Sequence, residues 1–281
     1  MTIMQALRHA SQRLADAGVP DAAYDASQML AHLLGENALA MRLSGERTLP
    51  PQTLSAYEAL VERRRAREPM QYILGETGFM GLIFHVEPGV LIPRQDTEIL
   101  CEAALERLSD GKRVLDIGTG SGALAVSLKA LCPGCDVTAV DVSETALTIA
   151  RENARRNGVQ VRFLRSDCFG ALAGERFDMI VSNPPYISQE EMQQLMPEVR
   201  QEPELALFGG KDGLSFYRRI AQEAPAYLNE GGWLLFEIGW KQRDAVQALL
   251  SAHIGAPFAL KDYGHNWRVV GAQWRGHGQD I

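Results

Sequence analysis

Between Lys112 and Gln273 one pattern repeats: a short apolar run rich in β-branched residues, then a longer stretch with helical spacing. The runs are RVLDI, DVTAV, VRFL, FDMIVS and GGWLLFEIG, followed by FALKD and WRVVGAQ. A strand that leads through a helix to the next strand re-enters the sheet in the same direction, and runs this continuously apolar are buried on both faces. The alternation predicts an α/β fold, a mainly parallel sheet with helices on both sides. FALKD and WRVVGAQ lie too close together for a crossover helix, which predicts antiparallel neighbours at one edge.

The chain before this region follows another rule. From Thr2 to about Arg67 the spacing is helical throughout. Ile3, Leu7, Ala10 and Leu14 share a face, with Thr2 as N-cap and Gly18 then Pro20 as the stop. A second helix, capped by Asp21, is expected to bury Ala26, Met29, Leu30 and Leu33 and to end at Gly35. A later one opens after Pro50-Pro51 and carries Leu54, Tyr57 and Leu60. The run Arg63-Arg64-Arg65 is expected as a solvated helix end, where cations suit the macrodipole. The stretch ETGFMGLIFHVE, residues 76–87, is β-rich with Gly78 and Gly81 as hinges and predicts a hairpin. The expected organisation is a small helical bundle over 1–75, a hairpin linker over 76–90 and the α/β domain over 91–281.

Composition narrows the function classes. A chain of 281 residues, 46% of them hydrophobic, supplies a core for one large domain or a large and a small one. A formal charge of −7 argues against a protein that coats nucleic acid, and no direct nucleic-acid substrate is expected. No apolar run is long enough to span a membrane, and Arg8 and His9 interrupt the place where a signal peptide needs its apolar stretch. The expected location is the cytoplasm. Of the cysteines Cys101, Cys132, Cys135 and Cys168, the Cys132-Pro133-Gly134-Cys135 spacing suits half a zinc site or a redox pair. The nearest histidines in sequence are His85 and His253, and Pro-Gly is ordinary turn chemistry, so a helix-to-strand turn is expected there and no metal.

The first chemical signal is VLDIGTGSGALA, Val114 to Ala125. A strand runs through Gly118, Thr119, Gly120, Ser121 and Gly122 into a helix, so that small residues let a ligand approach the backbone at a helix N-terminus. Gly118-x-Gly120-x-x-Ala123 also satisfies a dinucleotide fingerprint. Asp141, at the end of the next strand, can accept hydrogen bonds from the ribose hydroxyls of either cofactor, or cap the following helix. Asp116 favours S-adenosylmethionine: a carboxylate just before the glycines can orient the loop and suits a cationic ligand, whereas it repels a pyrophosphate. In RSDCF, Asp167 can accept from an adenine amino group and Cys168 or Phe169 can cover the ring.

The second signal is IVSNPPYIS, Ile180 to Ser188. Asn183 ends the fourth strand and so stands at the carboxyl edge of the sheet beside the glycine loop, where open α/β sheets bind ligands. Asn183-Pro184-Pro185-Tyr186 resembles the (Asn/Asp)-Pro-Pro-(Tyr/Phe) signature of methyltransferases that act on nitrogens in planar, conjugated groups. Such a nitrogen has a delocalised lone pair, so the site needs acceptors rather than a strong base. The Asn183 side-chain oxygen and the Pro184 carbonyl can each accept one N–H of a target NH2 and turn the lone pair toward the methyl. The prolines fix the backbone, and Tyr186 can stack on the flat target.

That signature serves adenine, cytosine and glutamine alike. QYILGETGFMGLIFHV, then GVLIPRQDTEIL, the NPPY segment and PEVRQEPELALFGGKDGL resemble, in order and spacing, the peptide chain release factor N5-glutamine methyltransferases of the HemK/PrmC family. The resemblance spans essentially the whole chain. It implies a Rossmann-like, S-adenosylmethionine-dependent methyltransferase domain behind an N-terminal helical substrate-recognition domain. The implied reaction methylates the glutamine amide in the Gly-Gly-Gln loop of release factors. The implied cofactor residues are Asp116, Gly118 to Gly122, Asp141, Asp167, Cys168 and Asn183. Asn183 to Tyr186 are implied to hold the amide, and Arg94, in a Pro-Arg pair near the family's active site, is a further substrate candidate or a linker residue paired with Asp96 or Glu98. Cys168 and Met80 stand where members often carry aromatic residues. A DNA adenine or cytosine methyltransferase, an S-adenosylmethionine-binding scaffold without turnover, and a NAD-linked oxidoreductase are the alternatives.

Overall fold

The computed structural model describes residues 1–276 and divides into two units, Met1–Glu76 with Met196–Gln201, and Thr77–Leu195 with Glu202 onward. The first contains α1 (Ile3–Asp16), α2 (Ala22–Leu34), α3 (Ala38–Leu43), α4 (Pro51–Arg65) and α5 (Met70–Leu74). Thr2 and Gln5 form a reciprocal capping box at α1, and Ile3, Leu7, Ala10 and Leu14 bury one face of it. Asp21 occupies the N-cap position of α2, but its side chain takes no N–H there. The Tyr57 hydroxyl donates to the Ala26 carbonyl at 2.9 Å and ties α4 to α2.

The arginine run departs from expectation. Tyr57, Val61 and Arg64 are the buried residues of α4, a stripe at i, i+4 and i+7, whereas Leu54 and Leu60 are only partly buried. Arg64 therefore faces inward at 6% exposure. Its Nε donates to Asp25 at 2.7 Å, and its Nη1 to the Glu68 carbonyl at 3.0 Å and to Glu198 at 2.9 Å. Arg67 forks onto the same Glu198 carboxylate at 2.7 and 2.8 Å. A guanidinium is tolerated in this interior because three oxygens satisfy it. Only Arg63 and Arg65 are solvated, paired with Glu68 and Glu62.

The second unit opens within the hairpin of β1 (Glu76–Phe79) and β2 (Leu82–His85), followed by α6 (Asp96–Leu105) and β3 (Arg113–Ile117). It continues through α7 (Ala123–Leu131), β4 (Asp136–Asp141), α8 (Glu144–Arg156), β5 (Arg162–Arg165) and β6 (Phe177–Ser182). After α9 (Glu204–Leu207) and α10 (Ser215–Glu223) come β7 (Leu228–Glu237), α11 (Arg243–His253), β8 (Pro257–Lys261) and β9 (Trp267–Gln273). The sheet order is β5-β4-β3-β6-β7-β9-β8. Strands β3 to β7 pair in parallel, while β9 runs antiparallel to both β7 and β8, the expected edge pair.

This Rossmann-like sheet has a core on each face. Leu100 and Cys101 of α6 and Val126 and Leu128 of α7 lie in one; Tyr217 and Ile220 of α10 and Val246 and Leu250 of α11 lie in the other. Phe79 and Phe84 of the hairpin meet edge to face at 6.0 Å and join the first. Cys132 and Cys135 bracket the turn from α7 to β4, closed by the Cys135 N–H on the Cys132 carbonyl at 3.0 Å; both thiols are free. Among the described residues, no helix is long and apolar enough to cross a membrane.

Candidate active site

From β3 the chain steps outward to β4 and β5, then returns to β6 on the other side of β3. The reversal opens a crevice at the carboxyl ends of β3 and β6, where ligands of open α/β sheets bind. Register fixes what surrounds it. Ile117 pairs with Val140 of β4 and with Ser182 of β6, so Gly118 emerges between Asp141 and Asn183.

Gly118, Gly120 and Gly122 take φ of 74°, 55° and 83°, the left-handed region that favours glycine. At Gly122 a Cβ would also press on Ala150 of α8 at 3.0 Å. Asp141 fastens the loop from the side: one carboxylate oxygen accepts the Gly120 N–H at 2.9 Å and the other the Ser143 N–H at 2.9 Å. Ser143, not Asp141, caps α8. Each Asp141 oxygen keeps a second lone pair for a ligand hydroxyl. Asp116 fastens the loop from beneath, fully buried, with one oxygen accepting the Thr119 hydroxyl at 2.6 Å and the other without a hydrogen-bond partner among the described residues. Burial pushes its carboxyl up to about 7, against the lowering effect of the Thr119 bond.

The cavity over this loop has a volume of about 140 Å³, and a cleft in the helical unit about 10 Å³. Of the residues singled out by sequence, Gly118, Gly120, Asp141, Asp167, Cys168, Asn183, Pro184 and Pro185 line it. Asp116, Thr119, Ser121, Gly122, Tyr186 and Arg94 are not among its lining residues. The first four shape the loop instead; the Ser121 carbonyl, for example, accepts the Asn153 amide at 2.9 Å. The Asp167 carboxylate is held by Arg219 of α10 at 2.6 Å, and Cys168 is buried at a φ of 47° with its thiol pushed up to about 11 by burial.

The Asn183-Pro184-Pro185-Tyr186 backbone is braced by a segment downstream. Ile187 donates to the Leu207 carbonyl and Gly209 to the Ile187 carbonyl, both at 2.9 Å. Gly209 packs so closely that a Cβ there would lie 2.6 Å from the Pro185 oxygen. The Gln242 amide donates to the Tyr186 carbonyl at 3.0 Å. Burial raises the Tyr186 phenol above its ordinary range, so it stays protonated. The Asn183 Nδ2 donates to the Thr97 hydroxyl at 3.2 Å, which leaves its oxygen free to accept from a ligand. Arg94 pairs with Glu202, whose carboxylate also accepts the Ile92 N–H at 3.0 Å. Asp96 goes to Arg268 and Glu98 to the Met80 N–H instead.

Sequence reasoning missed part of the wall. Gly89, Val90 and Leu91 after the hairpin, Leu205 and Ala206 of α9, and Phe216 and Ile220 of α10 line the cavity. Phe216 and Ile220 stand at i and i+4 on one helix face, a signal present in the sequence but indistinguishable there from core packing.

Residues 83–202 match the family model described as methyltransferase small domain, and residues 5–75 the one described as PrmC N-terminal domain. Among solved structures, a T. thermophilus 16S rRNA methyltransferase in complex with AdoMet and guanosine is similar at 25% identity and TM-score 0.54. The match covers 71% of this chain and 50% of that one. A methyltransferase from Pyrococcus furiosus shares the fold at 23% identity and TM-score 0.55, with coverage of 79% and 99%. The release factor glutamine methyltransferase of Cereibacter sphaeroides is 47% identical, over 97% of this chain and 99% of its own length. That of Vibrio cholerae is 40% identical, with coverage of 99% and 94%. With relatives this similar across both units, the chain belongs to the release factor glutamine methyltransferase family.

Proposed function

We propose that this protein methylates the side-chain amide nitrogen of a glutamine in a peptide chain release factor, in its Gly-Gly-Gln loop, with S-adenosylmethionine as methyl donor. The observation that carries the reading is Asn183, one residue beyond the β3–β6 pairing and beside Gly118, with its NH2 engaged by Thr97 and its oxygen left as an acceptor. Family membership supports both the substrate class and the cofactor. The glycine loop, the paired Asp141 oxygens and the cavity above them fit an adenosine carrying a cationic tail, and the Asp141 carboxylate beside the loop favours positive charge.

When bound, S-adenosylmethionine supplies an electrophilic methyl on a sulfonium. Asn183 and the Pro184 carbonyl are the acceptors for the two N–H groups of the target amide, drawing it out of conjugation so that the lone pair faces the methyl. Tyr186 packs on the flat amide. As the N–C bond formed, the methyl–sulfur bond would break to leave a neutral thioether and the nitrogen would shed one of its two protons to water or to these acceptors; a dedicated base is unnecessary because the alkylated amide is strongly acidic. Arg94, held by Glu202, keeps the Ile92 loop in place beside the site. The helical bundle over 1–75 serves as the substrate-recognition domain, the hairpin over 76–90 as linker, and 91–281 as the catalytic domain, of which residues 277–281 lie outside the described residues. A release factor substrate supports action in the cytoplasm, without a nucleic-acid substrate or a membrane.

Methyl-labelled S-adenosylmethionine offered with release factor, and separately with DNA, tests this. Label should enter the release factor and not DNA. Asn183→Ala should keep cofactor affinity within about threefold while kcat falls by about 100-fold, the signature of an interaction made mainly in the transition state. Label in DNA, or an unimpaired Asn183→Ala enzyme, would overturn the reading.

A further inference from the structure

An asparagine acceptor works only if its amide faces the right way. Rotation by half a turn about the side chain would offer the target NH2 another NH2, two donors without an acceptor. The direction of Asn183 is therefore a catalytic variable, and among the described residues the side chain that holds its NH2 is not one that lines the pocket. What holds it lies behind the pocket. Thr97, at 5% exposure on the first turn of α6, accepts a hydrogen bond from the Asn183 Nδ2 at 3.2 Å. Behind Thr97 lies Glu237, the last residue of β7 and 1% exposed: Ser182 of β6 pairs in parallel with Phe236, so Asn183 and Glu237 leave the sheet side by side, and the Thr97 hydroxyl favours the charged form of the Glu237 carboxyl.

We infer that Thr97 and Glu237 are positioning residues that set the orientation of the Asn183 amide, so that its oxygen, and not its NH2, faces the substrate. The inference rests on the proposed use of Asn183 as acceptor. Its logic is donor counting. An ionised carboxylate can only accept, so the single hydroxyl proton of Thr97 goes to Glu237. The Thr97 oxygen then has only lone pairs left for Asn183, which must answer with N–H. A protonated Glu237 breaks the sequence: its O–H can donate to Thr97, the Thr97 proton becomes free for the Asn183 oxygen, and the amide can turn over.

Glu237 is placed to switch between these states. One of its carboxylate oxygens is buried with no hydrogen-bond partner among the described residues, and burial pushes the carboxyl up to about 7. The charged groups facing it are Arg268 of β9, Asp96 of α6 and Arg94 before α6, with the phenols of Tyr186 and Tyr217. Arg268 is already shared by Asp96 and Asp262, and Arg94 is paired with Glu202. No cation is dedicated to Glu237 among these groups, which is why its charge is sensitive to pH.

Two measurements test the inference. In the first, kcat at saturating cofactor is compared for wild type, Thr97→Val, Thr97→Ser and Glu237→Gln, with cofactor affinity by calorimetry and melting temperature as checks on folding. Thr97→Val should lower kcat by about 10- to 100-fold with cofactor affinity unchanged, and Thr97→Ser should recover it. Wild-type kcat should fall as pH drops through about 7, and Glu237→Gln should lose that fall. In the second, the side-chain NH2 of Asn183 is followed by nitrogen-15 NMR, assigned through Asn183→Ala. Its protons should be protected from exchange in wild type and Thr97→Ser and unprotected in Thr97→Val. Equal protection in wild type and Thr97→Val, or equal kcat in the two, would overturn the inference. A wild-type protein with a protected amide that transfers no methyl to release factor would instead sink the functional reading alone.

Discussion

Asp141 shows how one side chain serves both the scaffold and the proposed ligand. Its oxygens hold the Gly120 and Ser143 N–H groups, each retains a second lone pair, and the residue lines the cavity. Asp141→Ala should weaken S-adenosylmethionine by the value of charge-assisted hydrogen bonds, about 1.5–3 kcal/mol or roughly 10- to 150-fold. Calorimetry checks it, and unchanged affinity would remove Asp141 from the cofactor site. Residues such as this are legible because strand, glycine loop and next strand end lie in one short stretch. Partners from far along the chain are not: Arg219 reaches Asp167 across 52 residues, Thr97 reaches Asn183 across 86, and Glu202 rather than a neighbour takes Arg94. Nothing local in sequence marks these pairs, because each is made by the sheet order.

Among the elements, the strand alternation was enough to forecast the parallel sheet and its antiparallel edge. Helix faces were harder. In α4 the buried stripe is Tyr57, Val61 and Arg64, and an arginine at i+7 looks polar until Asp25 and Glu198 arrive to neutralise it. The return of Met196–Gln201 to the helical unit has no sequence signature either. The segment 207–209 matters most for chemistry, since it pairs with Ile187 and abuts the Pro185 oxygen. Gly209→Ala would force that oxygen to move, because the Cβ would sit at 2.6 Å. The displacement should cut kcat by about 100-fold while S-adenosylmethionine affinity stays within about threefold. Single-turnover kinetics and calorimetry on the same preparation separate the two; undiminished turnover would mean the strand end tolerates the shift.

For the whole molecule, two buried carboxyls set a pH trend. Asp116 and Glu237 are both pushed up to about 7 by burial, above the ordinary values of 3.8 and 4.5 that they regain on unfolding. Between about 4.5 and 7 the folded state binds more protons than the unfolded one, so these groups favour folding in acid and lose that contribution as pH rises through about 7. The melting temperature should be higher at pH 6 than at pH 8, whereas kcat should move the other way if Glu237 must be ionised to orient Asn183. A melting temperature that rises from pH 6 to pH 8 would contradict the assigned burial. The central claim, methyl transfer to a glutamine amide, is tested most directly by mass spectrometry of a release factor incubated with this protein and S-adenosylmethionine. The account predicts a gain of one methylene on the glutamine of the Gly-Gly-Gln loop, absent with Asn183→Ala. An unmodified glutamine in the presence of active, cofactor-binding protein, or the added mass on another residue, would contradict it.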